Sequence, residues 1–198
     1  MSRFFITGTD TGIGKTSYSV DLIRAWKAEG ISGVGLKPFA SGDRGDAVRL
    51  QEAMEGVLSL EEINPVILER PLAPWMAATL EGREIPYEQV LAHTRALAQQ
   101  FSHVLVEGAG GWLVPLTEEK MIRDFARELG FPVIIVARAG VGTINQTLLT
   151  VESIQREGLV IEKIVLNRFS EETEFIAELN QQFLSKKTGM NVEITVLH

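Results

Sequence analysis

Residues 5–18 read FITGTDTGIGKTSY: a short apolar strand, a glycine-rich turn and the start of a helix. The turn from Gly8 to Thr16 has the make-up of a phosphate-binding loop, but five residues separate Gly8 from Gly14. The usual pattern, G-x-x-x-x-G-K-[ST], has one fewer, and Thr9 stands where its first glycine belongs. Such a loop turns backbone N–H groups toward phosphate oxygens, and glycine permits the positive φ angles and close approach this needs. Lys15 would reach the terminal phosphates, and the Thr16 hydroxyl would ligate Mg²⁺. Val20, Ile23 and Trp26 recur at helical spacing, so Thr16 to Glu29 is predicted to be an amphipathic helix, stopped by Gly30.

Strand and helix patterns alternate beyond this point. Strands are expected near 3–7, 33–37, 103–107, 132–137 and 161–166. Helices are expected near 16–29, 46–54, 86–100, 119–129, 143–157 and 171–185. Near-continuous apolar runs such as VIIVA and KIVL suit parallel strands covered on both faces. The alternation predicts an α/β fold, a doubly wound, mainly parallel sheet with helices on both faces and one domain over 1–198. The stretch 57–85, with Pro65, Pro71 and Pro74, is the least regular and is expected to be a packed excursion near the site.

The chain has 198 residues, a 45% apolar fraction and a net charge of −7. That balance argues against a general nucleic-acid surface, and the adjacent pair Lys186-Lys187 is expected at a solvated helix end. With no cysteine, disulfides and thiolate metal sites are excluded. His93, His103 and His198 are scattered and expected on the surface. No signal peptide is apparent, and Phe131–Ala137 is too short to span a bilayer. A cytoplasmic protein with no membrane partner is the expectation.

Polar motifs fall at the predicted strand ends. VGLKPFASGD ends a strand on Lys37 and turns toward Ser41. HVLVEGAGGW ends one on Glu107 and enters Gly108, Ala109, Gly110 and Gly111. VARAGVGTINQTLL enters a helix through Gly142 and Thr143. Ligands of doubly wound sheets sit beyond the carboxyl ends of the strands, where these segments converge. Glu107 alone reads as a solvated strand end; the loop upstream and the glycines downstream favour a metal ligand. Asp46 reads as a helix cap or a second acidic ligand, with Asp43 as its local competitor. Lys37 beside the phosphates suggests chemistry on an additional anion.

In order, TGTDTGIGKT, LKPFASG, DA, VEGAGGW and GTINQTLLT resemble the dethiobiotin synthetases, from the N-terminus to about Asn167. The long Gly8–Gly14 spacing is that family's usual form. The resemblance implies closure of a cyclic urea on 7,8-diaminononanoate from CO₂ and ATP, with Mg²⁺, through a carbamate and a carbamic-phosphoric anhydride. It implies ATP binding by Gly12, Ile13, Gly14, Lys15, Thr16 and Ser17, with Asn167 on the adenine. It places Thr16, Asp46 and Glu107 on Mg²⁺, and Lys37, Lys15, Thr11 and Ser41 in catalysis. Gly108 to Gly111 and Ser41 would line the diamine. The helix start Gly142, Thr143, Ile144 and Asn145 would receive the substrate carboxylate from the other chain of a homodimer with shared sites.

Three positions depart from the family pattern. Ala73-Pro74-Trp75 stands for Ser-Pro-His, Gln146 stands for a His, and no Gly-x-Ile-Pro segment is recognisable in GMNVEITVLH. Weak discrimination between bases is the expectation. The alternatives are a non-catalytic or regulatory P-loop ATPase and a cobyrinic-acid diamide synthase-type amidoligase; the latter normally carries a Cys nucleophile in a partner domain.

Overall fold

VIIVA, residues 133–137, is wholly buried. Successive strand residues face opposite ways, so both faces of the sheet are covered at this point. The computed structural model describes residues 2–169 and 174–196. Its strands are β1 (Ser2–Gly8), β2 (Gly33–Leu36), β3 (Phe39–Ser41), β4 (Val66–Leu68), β5 (His103–Glu107), β6 (Val133–Arg138), β7 (Ile161–Arg168) and β8 (Val192–Val196). Its helices are α1 (Lys15–Ala28), α2 (Gly45–Ala53), α3 (Leu60–Ile63), α4 (Pro74–Leu80), α5 (Tyr87–Gln100), α6 (Ile122–Leu129), α7 (Thr143–Arg156) and α8 (Glu174–Thr188). Six strands form one sheet in the order β2-β5-β1-β6-β7-β8, and β3 and β4 form a separate pair. Every pairing between these strands is parallel, as predicted for an α/β doubly wound fold.

β1 lies between β5 and β6, with Ile6 opposite Glu107 and Gly8 opposite Val136. That register brings the phosphate loop, Glu107 and the entry to α7 to one edge of the sheet. Helix α1 buries Val20, Ile23 and Trp26, the spacing read in the sequence.

The excursion 57–85 is more regular than predicted, and it holds α3, β4 and α4. Ser59 and Glu62 form a reciprocal cap on α3, a signal present in SLEE. Pro74 occupies the first turn of α4, where its missing N–H costs nothing. This segment fixes Lys37: Lys37 N donates to Ile63 O at 2.9 Å, and Asn64 Nδ2 donates to Lys37 O at 2.8 Å. On β3, Phe39 meets Phe125 edge-on at 5.0 Å.

Two further differences are local. Strand β8 was not expected. Helix α6 begins at Ile122 rather than 119, because Asp124 Oδ2 accepts from Met121 N at 2.9 Å and caps it there. Lys186 and Lys187 lie in the exposed last turn of α8. Residues 171–173 of the predicted last helix, and His198, lie outside the described residues. His93 donates from Nε2 to Glu62 O, and His103 packs edge-on against Trp26. Among the described residues no helix is long and apolar enough to cross a membrane.

Candidate active site

The loop between β1 and α1 closes on Gly14, which caps α1 at φ 88°, a conformation costly for any residue with a Cβ. Thr16 and Ser19 on the first turns of α1 both donate to Glu107, Thr16 Oγ1 to Oε1 at 2.8 Å and Ser19 Oγ to Oε2 at 2.9 Å. Lys37 Nζ lies 2.6 Å from Glu107 Oε1, 2.8 Å from Asp46 Oδ2 and 3.3 Å from Gly108 O. Glu107 is 1% exposed and Lys37 4%. A buried charge without partners would be strongly disfavoured; here each carries several.

The protonation states follow from this network. Burial works against the Lys37 ammonium, but Glu107 and Asp46 outweigh it and hold its pKa above the usual lysine value. Burial likewise opposes the Asp46 carboxylate, yet Lys37 holds its pKa below the ordinary one. Lys15 is different. Among the described residues its Nζ donates only to Asp10 O, at 3.0 Å, and burial followed by repulsion from Lys37 lowers its pKa to about 8. Lys15 is a largely buried amine whose pKa burial has brought toward neutrality.

Asp46, not Asp43, meets Lys37. Asp43 Oδ1 accepts from Gly45 N at 2.7 Å and closes the turn before α2. Asp46 stands in the first turn of α2 and is not its cap. The hydroxyl of Thr16 and the carboxylates of Asp46 and Glu107 thus converge where Lys37 bridges them. This is a hard-oxygen donor set of the kind Mg²⁺ takes alongside phosphate oxygens and water.

Two cavities meet at this network. A phosphate pocket of ≈ 250 Å³ is lined by Gly12, Gly14, Lys15, Thr16, Ser17 and Glu107, among others. A larger cavity of ≈ 510 Å³ is lined by Ser41, Pro71, Ala73, Pro74 and Ala109, among others. Thr11, Lys37, Asp46 and Gly110 line both. Gly110 has φ 67°, and a Cβ there would lie 2.9 Å from Val114 Cγ2 and 3.4 Å from Thr11 Oγ1, so glycine lets this loop lie against the phosphate loop. Ser41 Oγ is buried with no hydrogen-bond partner among the described residues, a polar atom available to a ligand.

The AAA domain family matches residues 2–197. The chain is 48% identical over 192 residues to the ATP-dependent dethiobiotin synthetase BioD of Anaeromyxobacter sp. (strain K), covering 95% of this chain and 86% of that one. The chain belongs to the ATP-dependent dethiobiotin synthetase family. A second member, from Akkermansia muciniphila, is 37% identical and is covered over 93% of its length by the whole of this chain. Among solved structures, the cell division protein FtsY of Thermotoga maritima aligns with a TM-score of 0.58 at 17% identity, over 98% of this chain. This chain spans 61% of the length of that FtsY, and the likeness is one of fold.

Of the residues that the dethiobiotin synthetase motifs singled out, most meet around Lys37. Asn167 and the start of α7 do not. Asn167, 2% exposed, donates from Nδ2 to Ile13 O at 2.7 Å and Gly14 O at 3.2 Å. Its Oδ1 accepts from Thr195 Oγ1 on β8. Its amide N–H groups are therefore spent on the phosphate loop, and only the second lone pair of Oδ1 is left for a base. Gly142 caps α7, Thr143 is buried and Asn145 exposed, and these residues with Ile144 line neither cavity. Ala73 and Pro74 line the larger cavity, whereas Trp75 lines a separate one of ≈ 370 Å³ with Arg83 and Leu116. A further cavity of ≈ 350 Å³ takes in Gln146 and Thr11.

Three contributors were not read from the sequence. Ser19 lies one helical turn after Lys15, a spacing that marks the same face. Thr195 and Arg49, which lines the phosphate pocket and donates to Ser17 Oγ, carry no local signal; their placement comes from the pairing of β8 with β7 and from the packing of α2 on α1.

Proposed function

We propose that the protein closes a cyclic urea on 7,8-diaminononanoate with CO₂ and ATP, giving dethiobiotin, as a ligase of biotin biosynthesis. Family membership supports the reaction, and one observation carries the assignment of residues: Thr11, Lys37, Asp46 and Gly110 line both the phosphate pocket and the larger cavity. A group passing from a triphosphate to a second anion has to cross that junction.

One amine takes up CO₂ as a carbamate and releases a proton. A carbamate oxygen attacks the γ-phosphorus, the bond to the bridging oxygen breaks, and ADP leaves. The second amine attacks the carbonyl carbon of the mixed anhydride; it loses its proton, the ring closes and phosphate departs. The obstacle is repulsion between carbamate and triphosphate, so catalysis rests on positioning and fixed positive charge. Lys37 supplies that charge at the junction, as an ammonium throughout neutral pH. Lys15 and the backbone from Gly12 to Ser17 cradle the phosphates. Thr16, Asp46 and Glu107 would hold Mg²⁺, which when bound neutralises charge on the phosphate oxygens. Thr11 and Ser41 offer hydroxyls to the carbamate, and Gly108 to Gly111 flank the diamine chain.

The carboxylate end of the substrate calls for a second copy. Residues 142–145 begin a helix, and helix N-termini favour anions, but in one chain they lie off both cavities. A homodimer whose sites each take the start of α7 from the other chain accounts for them. Exposed Val141, Leu149 and Leu113 flank this region. A cytoplasmic setting goes with this reading.

The test is incubation with diamine, bicarbonate, ATP and Mg²⁺, following phosphate release and dethiobiotin by mass spectrometry. Phosphate release only with diamine, with product formed, is expected. Equal release without diamine would favour the regulatory-ATPase alternative. Mixing inactive Lys37→Ala and Asn145→Ala proteins should restore some activity; none after verified subunit exchange would refute the shared site.

A further inference from the structure

The phosphate pocket contains three cations, Lys15, Lys37 and Arg49. Lys37 is committed to Glu107 and Asp46. Neither Lys15 nor Arg49 has a carboxylate within 4 Å among the described residues. The two carboxylates of the pocket therefore balance Lys37 and one other cation, and Arg49 leaves it with a net positive charge.

Arg49 stands three residues after Asp46 on α2, so both project from the same side of that helix. They take different partners in the pocket. Asp46 meets Lys37, while Arg49 Nη2 donates to Ser17 Oγ at 3.0 Å. Ser17 follows Lys15 and Thr16 at the end of the loop where backbone N–H groups cradle the α- and β-phosphates. A guanidinium carries five donors in a planar fork matched to phosphate oxygens. The bond to Ser17 takes one of them and aims the fork.

We infer that Arg49 is a further nucleotide-binding residue, which clasps the α/β-phosphate end of the triphosphate opposite Lys37 at the γ-phosphate end. The inference rests on the nucleotide site proposed above and adds a residue to it. Because the α- and β-phosphates are common to ATP and ADP, Arg49 serves substrate and product alike and contributes to binding rather than to the transfer step.

Calorimetry with MgATP and MgADP, without diamine or bicarbonate, on wild type, Arg49→Gln and Arg49→Lys tests this. Arg49→Gln should weaken both nucleotides alike by about tenfold, the scale of one charge-assisted hydrogen bond at a partly exposed site. Arg49→Lys should recover part of the loss. In turnover assays KM for ATP should rise by the same factor, with kcat within about twofold of wild type. Unchanged affinity for both nucleotides in a folded Arg49→Gln protein would overturn the inference, leaving Arg49 a surface residue that holds Ser17. A loss confined to ATP would overturn it too, placing Arg49 on the γ-phosphate. The binding measurements need no diamine, so they judge Arg49 even if wild type binds nucleotide and makes no dethiobiotin; that result would sink only the proposed reaction.

Discussion

At one end of the nucleotide loop, Thr16, Ser19, Lys37, Asp46 and Glu107 form a closed network drawn from α1, β5, α2 and the end of β2. On the β7 side of the same loop the Asn167 amide ties two loop carbonyls to a hydroxyl on β8. The first end manages charge; the second holds backbone. Handling phosphate requires cations, and buried cations require carboxylates, so that end is rigid through compensation. The base end has no such demand. There the N–H groups of the Asn167 amide go to shaping the loop, and one lone pair of Oδ1 is left for the base proposed to bind beside it.

The comparison breaks most visibly at Lys15. Lys15→Ala should lower kcat/KM by about a thousandfold, by removing the desolvated cation that faces the terminal phosphates. Near-normal turnover and unchanged MgATP affinity by calorimetry would show that charge at this end is not decisive. Next comes Glu107→Gln. It leaves buried Lys37 with Asp46 as its one carboxylate among the described residues, so urea unfolding should show a loss of about 3 kcal/mol. The Mg²⁺ concentration for half-maximal rate should also rise, and an unchanged Mg²⁺ dependence would remove Glu107 from the metal set.

At the base end the effects should be smaller. Asn167→Ala should weaken MgATP about tenfold by releasing the carbonyls of Ile13 and Gly14. MgGTP should weaken equally, with wild type itself preferring ATP by no more than about a hundredfold in kcat/KM. A loss restricted to ATP would mean that Asn167 reads the base. The smallest effect concerns the fastening of β8, where Lys163 Nζ meets Glu193 at 2.9 and 3.0 Å. Burial opposes the Lys163 charge, but its bond to Glu193 prevails and raises its pKa above 10.5. A raised lysine pKa stabilises below the unfolded value and ceases to do so as pH climbs through the folded one. Lys163→Met should therefore cost at most about 1 kcal/mol near neutral pH, the pair being partly exposed. The difference should shrink as the pH climbs above 10.5 and through the raised folded-state pKa. A difference that persists there would assign it to packing of the lysine stem.

The same contrast explains what could be read in the sequence. Glycines, Lys15, Lys37 and Glu107 stand at the ends of apolar strands, and a doubly wound sheet brings such ends together, so the phosphate end was visible residue by residue. Asp46 was ambiguous with Asp43 because both precede or open the same helix; the choice is made by the turn that consumes Asp43. Strands β3 and β4 are three residues each, too short for a period to register. The capping box of α3 was legible but lay in a proline-rich stretch. Asn167 was found through the family motif, while its bonds were not: they depend on where a carbonyl points, which no side-chain pattern records.

The bonds that assemble the site join distant parts of the chain, 70 residues apart for Lys37 and Glu107, 91 for Thr16 and Glu107, and 154 for Asn167 and Ile13. During synthesis the loop emerges first and waits for β5 and then β7 before its carbonyls and hydroxyls find partners. A nascent chain ending before Asn167 holds the whole glycine-rich motif without the support that shapes it. Nucleotide bound at this loop therefore favours the finished sheet, the state whose bonds shape the loop. By mass action a ligand at a hundred times its Kd adds about 2.7 kcal/mol to the state that binds it, and here that state is the completed fold.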